Sequence, residues 1–170
     1  MKCALITDQH FGAREGSTTI LEHQKKFYEN TFFPFLDSTE IKTVICLGDI
    51  FDKRKYTNNF VIEQCKKFFF DELKSRNITF YIIVGNHDAP FKNTLFPNTP
   101  DILLGEYDNV HVISSPMNVD VSGYSVAMIP WICQENHDVA YDVIGNSKSE
   151  ICMGHFEIDG FQMYRGTESH

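Results

Sequence analysis

Two aspartates that lie three residues apart, Asp49 and Asp52, follow an apolar run. Residues 44–47 read Val-Ile-Cys-Leu without polar interruption, which is typical of a strand covered on both faces of a parallel sheet. Gly48 ends the run, and ligands collect in the loops beyond the carboxyl ends of such strands. An aspartate there also commonly caps the next helix or turn, so this motif alone leaves both interpretations open.

Three more apolar runs end at polar side chains of the same kinds. They cover residues 2–7, 80–84 and 151–153, and the last two are followed directly by a glycine. Together the four strands would deliver these side chains to one edge of a sheet: Asp8, His10, Asp49, Asn86 and His155. Carboxylate, amide and imidazole donors suit divalent ions such as Mn, Fe, Zn or Mg better than an ion that prefers thiolates. The sequence therefore predicts a metal site.

Composition narrows the class of protein. With 170 residues and 42% apolar content, the chain can bury one substantial core and is most simply one domain over residues 1–170. No apolar run approaches the ~20 residues that cross a bilayer, and a secretory signal pattern is absent, so we expect a soluble, cytoplasmic protein with no membrane partner. The five cysteines form no C-x-x-C pair, which indicates reduced core residues.

The net charge of −8 argues against a protein that mainly wraps a polyanion. It does not exclude an enzyme of nucleic acids, because several acidic residues would face bound cations. The compact basic cluster is Lys53-Arg54-Lys55. It is either a solvated loop or, directly after Asp49 and Asp52, a contact to the phosphate backbone.

Two helices are predicted between the first three strands. The first carries an apolar stripe from Ile20 to Leu36, and Pro34 should kink or end it. The second is expected over residues 58–76, where Phe70 falls off the apolar stripe and is either an exposed contact for self-association or part of a broad buried face. The residues on that stripe are Phe60, Val61, Cys65, Phe68, Phe69 and Leu73.

The order of elements predicts the architecture. Strand, helix, strand, helix, strand with short connections indicates a parallel sheet with right-handed crossovers. Residues 117–121 and 124–129 are predicted to form a hairpin that belongs to a second sheet. We therefore expect an α/β fold, a layered sandwich of two mixed sheets flanked by helices.

Four ordered motifs resemble the signature of the calcineurin-like metallophosphoesterases. They are Asp8-x-His10, Gly48-Asp49-x-x-Asp52, Gly85-Asn86-His87-Asp88 and Gly154-His155. The resemblance covers nearly the whole chain. Within that superfamily, Gly-Asp-Ile-Phe-Asp, Val-Gly-Asn-His-Asp, Ile-Pro-Trp and Gly-His-Phe-Glu are most similar to double-strand-break repair nucleases, namely the SbcD-type subunits and the recombination endonuclease subunit of large phages.

The resemblance implies a role for each motif residue. Asp8 and His10 would hold one metal ion, Asn86 and His155 would hold the other, and Asp49 would bridge them. His87 would be the catalytic imidazole near the leaving oxygen, Asp52 would orient it, and Asp88 would support the site. Two divalent ions ~3.5 to 4 Å apart are typical of phosphoryl chemistry, and Mn is the first candidate, with Mg, Fe or Zn as alternatives.

The chain departs from the family at one motif. Family members carry a further Gly-His-x-His that adds one imidazole to each metal, and this chain ends at His170 before any such motif. We therefore expect an amino-terminal portion of a longer nuclease, with weak metal binding and little activity on its own.

Three functional hypotheses follow. The first is two-metal hydrolysis of DNA phosphodiesters in recombination and double-strand-break repair, in the host cytoplasm if the chain is phage-encoded. The second is a phosphatase or cyclic-nucleotide phosphodiesterase that uses the same site. The third is a non-catalytic module for dimerisation or partner docking. The resemblance also implies a homodimer and a coiled-coil, SMC-like ATPase partner for the full-length protein.

Overall fold

The first sheet is parallel. A computed structural model describes residues 2–158, 160, 162–164 and 167–168. The strands of this sheet are β1 (Ala4–Ile6), β2 (Thr43–Cys46), β3 (Thr79–Ile83) and β4 (Val110–Ile113). They lie in the order β1-β2-β3-β4, and each neighbouring pair is parallel, which confirms the predicted βαβ arrangement.

The second sheet contains the predicted hairpin. Its strands are β5 (Met117–Val121), β6 (Tyr124–Ile129) and β7 (Ile151–Gly154). The β5–β6 pair is antiparallel and the β6–β7 pair is parallel. Mixed pairing, which we expected in both sheets, is found in this one, whereas the described strands of the first sheet are joined by helical crossovers that keep them parallel. A small antiparallel pair, β8 (Gln162–Tyr164) and β9 (Thr167–Glu168), follows.

Strand alternation determines how the layers stack. Ile45 of β2 packs toward the second sheet, while its neighbours Val44 and Cys46 belong to the core beneath the helices. Successive side chains of a strand point to opposite faces, so one apolar strand supplies both cores. The core between the sheets joins isoleucines of the first sheet to residues of the second: Ile45, Ile83, Ile113, Val121, Val126 and Met128. This arrangement is the predicted sandwich.

Helices cover the other face of the first sheet. The first crossover begins with a single turn, α1 (Ala13–Gly16), and continues through α2 (Thr18–Phe27), the π-helical segment π1 (Tyr28–Phe32) and α3 (Phe33–Thr39). The second crossover consists of α4 (Asn59–Cys65), the π-helical segment π2 (Lys66–Phe70) and α5 (Asp71–Ser75). Two shorter helices are α6 (Thr99–Leu104) and α7 (His137–Asn146). Aromatic rings fill the interface: the ring centroid of Phe69 lies 4.6 Å from that of Tyr28, in a tilted contact, and 5.5 Å from that of Phe80, edge to face.

The two π segments show where the helices depart from a regular α-helical pattern. Pro34 does not end its helix, which continues to Thr39 after the wider π1 turn. A π turn adds one residue to the turn and relaxes the hydrogen-bond ladder that proline disrupts. In the second crossover, π2 rotates its own residues toward the core, so that Phe70 is fully buried. Phe60, predicted to face the core, precedes this turn at the start of α4 and is 49% exposed.

All five cysteines are free. Cys46, Cys65 and Cys133 are buried as predicted, but Cys3 and Cys152 are exposed. Within the described part of the chain, no helix is long and apolar enough to cross a membrane.

Candidate metal centre

The loops after β1 and β2 run side by side and carry three of the predicted ligands. The main-chain N–H of Asp8 donates to the carbonyl of Gly48 at 3.0 Å, and that of His10 donates to the carbonyl of Asp49 at 3.1 Å. Parallel neighbours end at the same sheet edge, so Asp8, His10 and Asp49 meet there.

These three side chains form a group that can hold a divalent cation. Each offers one ligand atom, and the three atoms lie within 4.8 Å of one another. Nε2 of His10 is 3.7 Å from Oδ1 of Asp8 and 3.7 Å from Oδ2 of Asp49. Nitrogen and oxygen ligands lie about 2.1 Å from an ion, so two ligands of one ion are roughly 3 to 4 Å apart. The observed spacing is of that size.

The backbone at these ligands is strained. Asp8, His10 and Asp49 have φ angles of 54°, 46° and 55°, in the left-handed region that residues other than glycine seldom adopt. Each such residue costs of order 1 to 3 kcal/mol and persists only where the surroundings hold it, typically at a ligand site. The loops therefore hold the three ligand side chains close together, at the cost of a strained main chain.

A second group shares Asp49 and adds residues from β3 and β7. Nε2 of His155 is 3.6 Å from Oδ2 of Asp49, the same oxygen that faces His10. One terminal atom of the Asn86 amide lies 2.9 Å from Nε2 of His155 and 3.2 Å from Oδ2 of Asp49. The structure places Oδ1 of Asn86 at 2.9 Å from Nε2 of His155, so the amide oxygen faces the position that a cation shared with Asp49 and His155 would take.

His155 is oriented by the main chain. Its Nδ1 lies 2.9 Å from the carbonyl of Leu47, which accepts a hydrogen bond from the ring. This tautomer leaves the lone pair of Nε2 free to bind a metal. Two glycines make the close approach feasible: a Cβ at Gly48 would collide with the His155 ring, and a Cβ at Gly85 would collide with the Asp49 carboxylate.

Asp88 ties the loop after β3 to the loop after β2. It is fully buried, and its Oδ1 accepts the main-chain N–H groups of Ile50 and Phe51 at 3.1 and 3.2 Å. Its Oδ2 accepts those of Asp49 and Gly85 at 3.0 and 2.9 Å. Burial raises the pKa of Asp88 to about 7, and the N–H donors oppose that shift. The carboxylate thus holds the main chain at Asp49.

His87 contacts the centre through its main chain and its ring. Its N–H donates to Oδ1 of Asp49 at 2.8 Å, and its ring nitrogen Nδ1 donates to the main-chain carbonyl of Asp52 at 2.7 Å. The prediction that the carboxylate of Asp52 faces His87 is wrong for this structure, because the chain turns so that the carbonyl takes that position. Oδ1 of Asp52 instead lies 3.4 Å from Nδ1 of His10.

That contact with His10 is close but not aligned as a hydrogen bond, and the buried Nδ1 has no hydrogen-bond partner among the described residues. A small ring rotation would make Asp52 the carboxylate that orients a metal-binding histidine.

The basic cluster divides into three separate environments. Nζ of Lys53 lies 2.7 Å from Oε1 of Glu15, which pairs its charge. Arg54 lies beside Asn86, with a guanidinium nitrogen 2.9 Å from the amide. The side chain of Lys55 is exposed.

The donor set fits a divalent metal ion. The converging atoms are carboxylate oxygens, imidazole nitrogens and an amide, which suit hard and borderline divalent ions. All five ligands predicted from the sequence lie at this edge, together with His87, Asp52 and Asp88. His170, the last residue of the chain, is outside the described residues.

Some features of the site carry no signal in the sequence. The partner carbonyls of Leu47 and Asp52 are main-chain groups, which every residue possesses, and Glu15 lies 38 residues from Lys53. The strained φ angles at Asp8 and His10 are likewise a product of loop packing.

Comparisons with known proteins agree with this geometry. The sequence model of the calcineurin-like phosphoesterases matches residues 1–169. Exonuclease subunit 1 of Enterobacteria phage T4 is 40% identical over 181 residues, which cover 100% of this chain and 50% of that protein. The DNA double-strand break repair protein Mre11 of Sulfolobus acidocaldarius is 30% identical over 135 residues, which cover 74% of this chain and 33% of that protein.

This chain therefore spans half the length of the phage relative and a third of the archaeal one. Among solved structures, an archaeal phosphodiesterase superposes with a TM-score of 0.50 at 14% identity, over 99% of this chain and 81% of that one, and shares the fold. With the family match extending over the described metal centre and both sheets, the chain belongs to the calcineurin-like phosphoesterases.

Proposed function

We propose that this chain carries the catalytic centre of a metal-dependent nuclease that hydrolyses DNA phosphodiesters in recombination and double-strand-break repair. The observation that carries the proposal is the pair of ligand groups that share Oδ2 of Asp49, with His87 hydrogen-bonded to the other oxygen of the same carboxylate. The similarity to an exonuclease subunit and to a DNA double-strand break repair protein supports DNA as the substrate.

Two divalent ions are proposed, with Mn preferred. Asp8, His10 and Asp49 would hold one, and Asp49, Asn86 and His155 would hold the other. When bound, such ions supply Lewis-acid activation of the phosphodiester and of the attacking water.

His87 is proposed to give a proton to the departing sugar oxygen. Its Nδ1 is engaged by the carbonyl of Asp52, so the ring is held in one orientation with Nε2 left for the substrate. A carbonyl is compatible with both the neutral and the protonated ring. The hydrogen bond between the N–H of His87 and Asp49 keeps the ring beside the metal centre.

The same centre in a longer protein is proposed to pair with a second copy and with a coiled-coil ATPase subunit. Support for a second copy comes from a groove of about 330 Å³ lined by Tyr56, Ile62, Pro97 and Ile102, where α4 meets α6. Ile102 is 68% exposed and Tyr56 is 63% exposed, so the groove presents apolar surface to solvent. The relative from phage T4 is named as a subunit.

The test is Mn-dependent cleavage of linear double-stranded DNA by the chain, with the products resolved on a gel. We expect slow cleavage that is abolished in Asp49→Asn and His87→Ala and retained in Lys55→Gln, whose side chain lies outside the centre. Release of inorganic phosphate without shortened DNA would instead indicate a phosphatase. Equal cleavage by Asp49→Asn and the parent chain would contradict the proposal.

A further inference from the structure

Arg54 has an unsatisfied guanidinium group at the edge of the metal centre. Its Nη1 is withdrawn from solvent and has no hydrogen-bond partner among the described residues. Its other terminal nitrogen, Nη2, is 2.9 Å from the Asn86 amide. Buried donors in folded proteins are almost always paired, and a charged donor without a partner is especially costly. An acceptor that is absent from the protein itself is therefore expected at Nη1.

Trp131 holds the guanidinium in place. The guanidinium carbon of Arg54 lies 5.3 Å from the centre of the Trp131 ring, within the range of a cation–π contact. Trp131 is only 8% exposed, and its main chain is fixed by bonds to Val84 at 2.9 Å and to the Asn136 side chain at 3.0 Å. The tryptophan follows β6 of the second sheet, so it forms a rigid wall against which the β2 loop places Arg54.

Charge favours an anion at this position. The centre contains four carboxylates, at Asp8, Asp49, Asp52 and Asp88, so two divalent ions would only balance them. A substrate phosphate would add negative charge, and one more cationic group would neutralise it. Lys53 is already paired with Glu15 at 2.7 Å, whereas Nη1 of Arg54, next to a proposed metal ligand, has no hydrogen-bond partner among the described residues. A planar guanidinium matches two phosphate oxygens.

We propose that the guanidinium group of Arg54 binds a non-bridging oxygen of the DNA phosphate and that Trp131 is the positioning residue that aims it. This inference rests on the proposed function, since it names the group that recognises the phosphate at that centre. It also divides the basic cluster: Arg54 contacts the phosphate at the centre, Lys53 is engaged by Glu15, and Lys55 is a solvated side chain outside the site.

Trp131 is the sole tryptophan of the chain, so its fluorescence reports directly on this site. The chain is titrated with a ten-nucleotide oligothymidylate, first in EDTA and then with Mn²⁺, and the recovered DNA is checked for cleavage. We expect a saturable change of emission in the parent chain and in Lys55→Gln. Arg54→Gln should weaken binding at least tenfold, and Arg54→Lys should not restore it, because a lysine lacks the planar fork.

The role of Trp131 is tested with a fluorescently labelled oligothymidylate, by anisotropy. Trp131→Phe keeps a ring under the guanidinium, so its affinity for the oligothymidylate should be within threefold of that of the parent chain. Trp131→Leu should lose as much affinity as Arg54→Gln. Circular dichroism establishes that each variant is folded. Trp131→Leu binding as tightly as Trp131→Phe would refute the positioning role.

Failure of the inference and of the proposed function are distinguishable. Binding that depends on Arg54 without any cleavage by the parent chain would refute the nuclease proposal and retain phosphate recognition. Cleavage by the parent chain together with Arg54→Gln binding within twofold would refute the inference alone. An equal loss of affinity in Lys55→Gln and Arg54→Gln would also refute the inference. Absence of binding by the parent chain would refute it as well.

Discussion

At the scale of single residues, the atom that makes a contact matters as much as the residue. The main chain of Asp52 contacts His87, and its carboxylate approaches His10. One residue can thus position the proposed proton donor through an atom that no substitution removes, while its side chain supports a metal ligand. Mutation of Asp52 separates these two roles.

We expect Asp52→Asn to weaken Mn binding by about tenfold and to leave cleavage at saturating Mn within threefold of the parent chain, because second partners of ligating histidines typically contribute a factor of about 10 to 100 in affinity. Calorimetric titration with Mn and cleavage at several Mn concentrations measure the two effects. Unchanged Mn affinity with a large fall in saturated cleavage would show that the carboxylate acts on His87 after all.

At the scale of elements, the π2 segment determines which aromatic side chains reach the core. In a plain α-helical register, Phe70 lies on the opposite side of the helix from Val61 and would point away from the core. The wide turn at Lys66–Phe70 rotates the following residues, which buries Phe68, Phe69 and Phe70 together. The extra residue in this turn thus brings the ring of Phe70 into the core.

Phe60→Ala and Phe70→Ala form a matched pair for this point. Phe70→Ala should lower the free energy of unfolding by about 3 to 5 kcal/mol, the usual cost of removing a buried phenyl ring. Phe60→Ala should cost less than about 1 kcal/mol, because half of the ring is exposed in the structure. Urea unfolding of both variants measures the difference. A loss below about 1 kcal/mol for Phe70→Ala would mean that Phe70 does not reach the core, as in a regular α-helical register.

At the scale of the whole molecule, the metal centre joins the two sheets. Asp8, His10 and Asp49 extend from the first sheet, and His155 follows β7 of the second. The His155 ring also bonds to the carbonyl of Leu47, at the end of β2. An ion held by both groups would link the layers at the edge where their shared core ends.

Metal binding should therefore raise the thermal stability of the chain. A ligand at about 100 times its dissociation constant stabilises the folded state by about 2.7 kcal/mol. For a chain of this size that corresponds to a rise in Tm of roughly 5 to 10 °C. Differential scanning calorimetry in Mn and in EDTA should show this rise in the parent chain and its loss in Asp49→Asn. An equal rise in both would place the ion elsewhere.

The apolar groove between α4 and α6 predicts self-association of the molecule. Ile102→Glu should convert a dimer to a monomer, because it introduces a charge where the two copies would meet. Tyr124→Glu is the control, since Tyr124 is 52% exposed on β6 of the second sheet and does not line this groove. Sedimentation equilibrium measures the mass. A parent chain that is monomeric at high concentration would contradict the proposed pairing.

The sequence by itself determined the first three parallel strands and the side chains at their ends. It placed the strand before His155 in the same sheet, and this was wrong, because β7 belongs to the second sheet. Apolar runs that stop at glycine or aspartate are local signals, and parallel strands end at one edge, so the ligands could be predicted together. Cys3 and Cys152 were misjudged because an apolar neighbourhood in sequence does not reveal which strand lies at a sheet edge.

Tertiary structure alone decided the π turns, the exposure of Phe60 and the contacts of Asp52. Each depends on how a whole helix or loop packs against a distant element, and local propensity does not contain that information. The same holds for Arg54 and Trp131, which are 77 residues apart and meet only because the β2 loop and the end of β6 reach the same edge. The sequence thus specified the chemical groups, and packing between the two sheets decided which of them face one another.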